Sequence, residues 1–492
     1  MNLGALLDGY AMVAPADDRT VSGVAMDHRQ VARDSLFLAC AGGRGHGARW
    51  VPAALERGAR AIAWEPTSGV AAPPVPPDVP ALAVEHLRAR AGAIAARFFG
   101  DPSRSLDVVG VTGTNGKTSV THLVAHGLAA LGRRCDLIGT LGYGATNALA
   151  GGQHTTPDAV TVQRLLAGMR DAGAVAVAVE VSSHALDQAR VDSVRFRVAV
   201  FTNLTRDHLD YHTDLADYGR AKRRLFELAA TEAAVLCVDD AYGRELLAAL
   251  AGPRVTAVGA TASALASRFV EVEDVEYHAR GLRLHARTHA GPMRIDSVLL
   301  GHFNATNLAL AAAVLLELGI SPTDAARALA AAPTVPGRME AFGGGDAPLI
   351  VVDYAHTPDA LEQVLRAARE HAIGRVLCVF GCGGERDRGK RPLMAAIAAA
   401  WADDTLVTDD NPRAEDADAI VAEVVGGFPA GARWRVQRDR AQAIHEAIES
   451  AARGDVVVVA GKGHEDYQLV GAEVRAHSDR ATVADILAGR VL

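Results

Sequence analysis

The chain is poor in cysteine and in aromatic residues, and it carries no excess of positive charge. Its five cysteines, at 40, 135, 237, 378 and 382 of 492 residues, are odd in number and scattered, which excludes a disulfide framework. Cys378 and Cys382 have no second ligand pair nearby, so a zinc site is not expected. Free thiols in so long a chain suit a reducing compartment, and a cytoplasmic protein is expected. Aromatic residues make up 5% and the formal net charge is −8, so the chain shows no basic footprint of a nucleic-acid binder. No run approaches the roughly 18 apolar residues of a membrane helix. The opening stretch Met1-Asn2-Leu3-Gly4-Ala5-Leu6-Leu7-Asp8 has an acid and no basic residue, unlike a signal peptide. Short internal repeats and low-complexity tracts are also missing.

What is present describes a globular protein of more than one domain. Apolar residues reach 49% and charged residues 22%, and the length exceeds what one core organises. The centre of the pattern is Val108-Val109-Gly110-Val111-Thr112-Gly113-Thr114-Asn115-Gly116-Lys117-Thr118-Ser119. A β-branched run turns through glycines and continues into a stretch with helical spacing. Such a strand–loop–helix aims backbone N–H groups and a helix dipole at one anion. Lys117 would reach the outer phosphates of a nucleotide, and the Thr118 hydroxyl would ligate its Mg²⁺. Val111 stands where the long P-loop pattern has Gly, leaving the compact form Gly113 to Thr118.

The fold class expected is α/β in three domains. Residues 1–102 read as a small N-terminal α/β domain, with short strands over 21–29 and 35–40 and a helix over 85–99. The loop Ala41-Gly42-Gly43-Arg44-Gly45-His46-Gly47 suits an anion or simple flexibility equally, and six prolines between 66 and 80 mark an irregular loop. Residues 103–335 read as a central P-loop domain, a doubly wound parallel sheet with runs at 108–112, 175–181, 198–201 and 234–238 and a helix over 304–318. Residues 336–492 read as a C-terminal α/β domain of Rossmann type, with strands at 349–353, 376–380, 405–408 and 456–460.

Polar groups gather where these strands run out. Glu180 precedes Ser182-Ser183-His184, and Thr202-Asn203-Leu204-Thr205-Arg206-Asp207-His208 follows the next strand. A parallel sheet delivers both to the P-loop rim, so Glu180 and His208 could reach a phosphate-bound metal, with oxygen the better match for Mg²⁺. In residues 214–229 the apolar positions Leu215, Tyr218, Leu225, Phe226 and Ala229 share a helix face with Lys222. An inward lysine either snorkels to an edge, works beside the metal as an ammonium, or is modified to an anion. In the last domain Thr357 and Pro358 mark a helix start. The loops at 381–392, 409–413 and 461–466 mix guanidinium and carboxylate groups, a combination that suits a zwitterion.

The chain resembles the Mur ligases, ATP-dependent enzymes that form amide bonds in cell-wall precursors. The motifs that carry the resemblance are Gly113-Thr-Asn-Gly-Lys-Thr118, Glu180-Val-Ser-Ser-His184, Asn203-Leu-Thr-Arg-Asp-His208, His302-Phe-Asn304-Ala-Thr-Asn307, Pro336-Gly-Arg338 and Asp353-Tyr-Ala-His356. Thr155-Thr156-Pro157, Asp410-Asn-Pro-Arg413 and Gly461-Lys-Gly-His-Glu465 make it most similar to the branch that adds the third amino acid. The resemblance implies UDP-substrate-binding, ATPase and amino-acid-binding domains in that order. It implies that Gly113, Thr114, Asn115, Gly116, Lys117, Thr118, Ser119, Asn304, Arg338 and Asp353 bind ATP. Thr118, Glu180, His208 and a CO₂-derived carbamate on Lys222 would serve Mg²⁺, with Lys117, Lys222 and His208 catalytic. Met26, His28, Gly43, Arg44 and Gly45 match the uridine site. His154, Thr155, Thr156, Ser182, Gln188 and Arg190 match the site of the muramoyl dipeptide. His28 and His154 depart from the pattern, where Ser and Asn are expected. Arg386, Asp410, Asn411, Pro412, Arg413, Gly461 and Glu465 match the site of the incoming amino acid.

The implied reaction joins meso-diaminopimelate to UDP-N-acetylmuramoyl-L-alanyl-D-glutamate through an acyl phosphate, in a monomer that needs neither nucleic acid nor membrane. Within the family Asp-Asn-Pro-Arg goes with diaminopimelate, whose second carboxylate Arg413 would pair. The rival expectations are another Mur-type ligase (L-lysine-adding, D-Ala-D-Ala-adding or folylpolyglutamate synthetase) and a nucleotide-gated binding protein. The reading expects the two sheet rims to share one cleft.

Overall fold

Near-continuous β-branched runs become strands wherever helices can cover both faces. In the computed structural model, which describes residues 1–42, 45–152, 154–209, 211–228, 230–278 and 281–489, the chain divides into two units. One comprises Met1–Val270 with Leu310–Ser321, the other Glu271–Ala309 with Pro322–Leu492.

The first unit opens on a four-stranded parallel sheet, Gly23–Ala25, Ser35–Ala39, Ala59–Trp64 and Ala81–Ala83 in that order. The strand expected over 21–29 is only three residues long. Asp27 accepts from the Arg29 N–H and turns the chain into a helical turn, His28–Gln30. Helix Leu87–Phe98 covers one face through Leu87, Ala91, Ile94 and Ala95. The prolines from 66 to 80 form no helix or strand.

The main sheet of this unit places Asp107–Thr112 centrally, between Val198–Phe201 and Ala176–Glu180, all parallel. Beyond the first neighbour lie Ala233–Cys237 and Arg254–Gly259; beyond the second lie Cys135–Gly139 and the antiparallel Gly142–Ala145 and Ala148–Ala150. The chain leaves the central strand toward one edge and leaves Val198–Phe201 toward the other. Their carboxyl ends therefore mark a switch point, where doubly wound sheets bind ligands. Two of the parallel strands escaped the sequence reading because a buried polar group interrupts each. Asp136, paired with Arg134, interrupts Cys135–Gly139, and Thr256, donating to Glu317 at 2.5 Å, interrupts Arg254–Gly259. Helices Ala159–Asp171 and Leu215–Glu227 line one face, with Val162, Leu166, Leu225 and Phe226 in the core. Helix Lys117–Ala130 packs on Cys135–Gly139 and Ala176–Glu180.

In the second unit, Gly281–Thr288 and Gly291–Ser297 form an antiparallel pair. The six-stranded sheet runs Glu340–Gly343, Leu349–Asp353, Val456–Ala460, Val376–Phe380, Asp404–Val407 and Trp434–Val436. All its pairings are parallel except the first. Alternate residues of the same strands, such as Val351 and Ile350, feed two separate cores, as a covered parallel sheet requires. Thr357 does cap helix Pro358–His371, its hydroxyl accepting from the Ala360 N–H, with Pro358 in the first turn. Such a cap contributes about 1 kcal/mol.

Candidate active site

The loop after Asp107–Thr112 is fixed by the chain that ends the neighbouring strand. Thr114 N–H donates to the Asn203 carbonyl at 2.9 Å, and Asn115 N–H to Asn203 Oδ1 at 2.9 Å. Thr202 Oγ1 donates to the Asn115 carbonyl at 2.6 Å, and Thr205 N–H to Thr114 Oγ1 at 3.0 Å. Gly113 has φ +148°, and a Cβ there would strike the Thr202 hydroxyl. That close approach is what the glycine permits. Lys117 opens helix Lys117–Ala130 and folds back, its Nζ donating to the Gly113 and Thr114 carbonyls at 2.9 and 2.8 Å.

Beside this loop sits a buried carboxylate. Glu180, at the end of its strand, accepts from Thr118 Oγ1 at 3.0 Å, from Thr140 N–H at 2.9 Å and from Thr140 Oγ1 at 3.1 Å. Thr140 Oγ1 also lies 3.1 Å from Thr155 Oγ1. Thr156 donates to the Glu180 carbonyl at 2.6 Å and accepts from Ser182 N–H at 3.1 Å. Arg190 donates to the Thr156 carbonyl at 2.7 Å and to Gln188 Oε1 at 2.7 Å. Thr155, Thr156, Ser182, Gln188 and Arg190 thus lie in one chain of hydrogen bonds that begins at Glu180. The His154 carbonyl accepts from Tyr143 Oη at 2.5 Å.

Lys222 is buried, at 1% exposure, on the inward face of its helix together with Tyr218, Leu225 and Phe226. Leu215, which the spacing put on the same face, is instead 43% exposed at the helix start, and Ala229 lies outside the described residues. Lys222 Nζ donates to the Gly113 carbonyl at 2.8 Å and stands 4.1 Å from the Tyr218 ring centre. Burial, and then the Lys117 charge, push its pKa well below that of an ordinary lysine, with Asp207 opposing. Burial also raises the Tyr218 phenol to about 12, so the ring beneath Lys222 is neutral. Lys117 and Lys222 therefore share one acceptor, and the structure resolves the choice for Lys222: it does not snorkel.

His208 has φ +53° and an exposed ring, which meets His184 edge-on at 5.0 Å and Tyr218 at 6.0 Å. Among the described residues, no three His, Cys, Asp or Glu side chains are grouped to hold a metal. The donor set that is assembled, the Thr118 hydroxyl on the Glu180 carboxylate, is all oxygen and matches a hard cation such as Mg²⁺.

The small N-terminal sheet presents His28 stacked on Trp50, ring centres 4.3 Å apart, with the Arg49 guanidinium 4.9 Å from the Trp50 ring. Met26 is half-buried beside the core. Gly43 and Arg44 lie outside the described residues, and Gly45 follows with φ +130°.

In the second unit, Asp353 accepts from Met339 N–H at 2.7 Å and Ala355 N–H at 2.8 Å, while burial raises its pKa against the pull of Arg338. Arg338 stacks over the Tyr354 ring at 4.9 Å, and its buried Nε has no hydrogen-bond partner. Asn304 donates to the Leu300 carbonyl at 2.8 Å and accepts from Asn307 at 2.9 Å. Asp410, Asn411, Gly461 and Glu465 converge on Lys462, which is fully buried. Arg413 donates through Nη1 to the Gly384 carbonyl at 2.8 Å, and its backbone pairs with Leu469 and Gly471. Pro412 adjoins this turn, and Arg386 is exposed.

Sequence reasoning did not single out Thr140, Lys462, Arg391 or Arg440. Thr140 follows a strand that was itself missed. Arg391, at 0% exposure, is held by Glu415 and Glu423, whereas its loop reads in the sequence only as part of a set suited to a zwitterion. Arg440 and Asp479 form a fully buried pair at 2.7 Å between residues 39 apart, for which no local pattern exists.

Strand, glycine loop, Lys-Thr and helix at a switch point define a P-loop α/β protein. The chain matches the Mur ligase middle domain over residues 111–315 and the Mur ligase glutamate ligase domain over residues 337–463. It belongs to the Mur ligase family. It is 51% identical, over 97% of its own length and 96% of the relative's, to the UDP-N-acetylmuramoyl-L-alanyl-D-glutamate--2,6-diaminopimelate ligase of Xanthomonas campestris pv. campestris. A solved structure of a ligase with that same name superposes with a TM-score of 0.74 at 33% identity, covering 100% of this chain and 99% of the other. The MurF ligase of Thermotoga maritima, solved in complex with ADP, shares the fold alone, at 17% identity and TM-score 0.61 over 97% and 98% of the two chains.

Proposed function

We propose that the protein is the ATP-dependent ligase that joins meso-diaminopimelate to UDP-N-acetylmuramoyl-L-alanyl-D-glutamate, as a cytoplasmic monomer in peptidoglycan precursor synthesis. The observation that carries this reading is the 51% identity to a diaminopimelate ligase over 97% of the chain. The proposal includes the division into UDP-substrate-binding (1–102), ATPase (103–335) and amino-acid-binding (336–492) domains.

In the proposed reaction an oxygen of the D-Glu carboxylate attacks the γ-phosphorus of ATP and ADP leaves. The amine nitrogen of diaminopimelate then attacks the acyl carbon, loses a proton and expels phosphate as the amide forms. Residues 113–119 cradle the phosphates with backbone N–H groups, and Lys117 exchanges two carbonyl partners for phosphate oxygens. Thr118 and Glu180, with His208, would hold Mg²⁺, which when bound supplies countercharge to the transferred phosphoryl group. The lowered pKa of Lys222 favours the free amine, the form that combines with CO₂ to give a carbamate. Arg338 over Tyr354, together with Asn304 and Asp353, would serve the nucleotide. Residues 26, 28 and 43–45 would take the uridine end, and residues 154–156, 182, 188 and 190 the muramoyl dipeptide. Arg386, Asp410 to Arg413, Gly461 and Glu465 would take the amino acid, with Arg413 on its distal carboxylate.

The test is incubation of the purified protein with ATP, the UDP-muramoyl dipeptide and either diaminopimelate or L-lysine, followed by mass spectrometry. A diaminopimelate adduct formed with release of ADP is expected. An adduct with lysine alone would move the protein to the lysine-adding branch, and no adduct with either would reject the reading.

A further inference from the structure

Lys462 is enclosed completely, yet four polar groups from two segments meet its Nζ. It donates to Asn411 Oδ1 at 2.9 Å and to the Tyr467 carbonyl at 2.8 Å. It also stands 3.2 Å from Asp410 Oδ1 and 3.5 Å from Glu465 Oε2. Asn411 Oδ1 accepts from Leu469 N–H as well, at 2.9 Å, so two donors fix which end of the amide is oxygen. Its Nδ2 is thereby turned onto Glu465 Oε2 at 3.1 Å. Leu469 in turn accepts from the Arg413 N–H at 2.9 Å, so the strand tied down by Lys462 also sets the backbone of Arg413. Asp410 Oδ1 is buried and makes no hydrogen bond.

We propose that Lys462 is a positioning residue for the amino-acid site, acting through Asp410, Asn411 and Glu465 rather than by touching the ligand. The inference rests on the amino-acid-binding role proposed above for residues 410–413, 461 and 465. Two carboxylates and one ammonium leave the cluster one positive charge short of balance. The α-ammonium of an incoming amino acid supplies that charge, and Asp410 Oδ1 has acceptor capacity left for it. Full enclosure keeps Lys462 itself from the ligand, and its charge stops the two carboxylates from splaying apart.

The test compares wild type with Lys462→Met and Lys462→Gln in the complete ligase assay, with KM measured separately for ATP, the UDP-muramoyl dipeptide and diaminopimelate. Gln keeps a donor for Asn411 and Tyr467 but removes the charge. Both variants are expected to raise the diaminopimelate KM about 10- to 100-fold, the range for a lost charge-assisted hydrogen bond. The other two KM values should stay within about twofold of wild type, and a general structural defect would not spare them. An unchanged diaminopimelate KM, or an equal rise in all three, would overturn the proposal. So would failure of both variants to fold, because Lys462 would then be a folding residue. If wild type itself forms no diaminopimelate adduct, it is the functional reading that has failed, and that result is separate from any difference between the variants.

Discussion

Replacing Lys222 by methionine should stabilise the first unit while abolishing ligation. The Lys222 ammonium is 1% exposed; it hydrogen-bonds the Gly113 carbonyl and lies over the face of the Tyr218 ring, while Lys117 repels it more than Asp207 attracts it. A charge so placed carries most of its desolvation cost uncompensated. Methionine is unbranched and of similar length, so it fills the space without a large cavity. Its arrival does not orphan the Gly113 carbonyl, which still accepts from Lys117 at 2.9 Å. Exchanging a buried charge for a well-packed apolar side chain is neutral to stabilising, by up to about 4 kcal/mol, and the upper half of that range is expected here. The pH dependence supplies a second measure. Lys222 has a folded-state pKa below that of the unfolded chain, so between the two the unfolded state binds the extra proton. Wild-type stability therefore rises with pH across that window, up to an ordinary lysine's 10.5, and the variant lacks this slope. Urea unfolding at pH 7 and pH 9, with phosphate release as the activity readout, measures both effects. A variant destabilised by more than about 1 kcal/mol, or one that keeps the wild-type pH slope, would refute the reasoning.

Other outcomes follow from single contacts. Arg413→Ala should lower the ratio of kcat/KM for diaminopimelate over lysine about tenfold or more, as expected when a site loses its partner for a carboxylate; an unchanged ratio contradicts the role given to Arg413. Asp479→Asn, which leaves the buried Arg440 guanidinium uncompensated, should cost about 3–5 kcal/mol in urea unfolding of the second unit, and Arg440→Met with Asp479→Leu together should cost less. His464 is held at about 4, first by burial and then by Arg338 and Arg480, below its ordinary 6.5. The unfolded chain binds the proton in that window, so stability falls as pH drops from 6.5 to 4, by up to about 3 kcal/mol. His464→Gln should remove that part of the acid sensitivity in pH-dependent denaturation.

The parts legible in the sequence are those in which local pattern and tertiary environment agree. Val198–Phe201, Val376–Phe380 and Val456–Ala460 are apolar throughout, Leu349–Asp353 is apolar up to its last residue, and all four sit inside covered sheets, so their predicted limits match the structure. Lys222 was legible for the opposite reason, as one charge on an otherwise apolar helix face. Cys135–Gly139 was not, because its buried Asp136 is satisfied by Arg134 and the pattern records only the acid. The edge strands Glu340–Gly343 and Trp434–Val436 are short and half-exposed, with too few apolar residues to show a period. Thr140, Arg440 and Asp479 depend on partners 39 or 40 residues distant, and neither spacing nor composition carries that information.

The two largest sheets of the molecule each place a glycine and then a lysine where a strand runs out, but the two lysines are bound to different kinds of partner. Lys117 is half-exposed and donates to backbone carbonyls of its own loop, neutral acceptors that it can exchange for an anion at little cost. Lys462 has no exposure and faces two carboxylates and an amide from two segments, so removing it would strand buried negative charge. Lys117 can therefore move to a ligand, whereas Lys462 can only stay and hold the groups that meet one. Lys222 stands between these cases: it is nearly as buried as Lys462, yet among the described residues it forms no ion pair, and the Lys117 charge acts on it more strongly than that of Asp207. A lysine left in that condition is chemically different from the other two, because burial and the Lys117 charge shift it toward the neutral amine. That difference, rather than the number of lysines near the loop, is the physical basis of the carbamate proposed for Lys222.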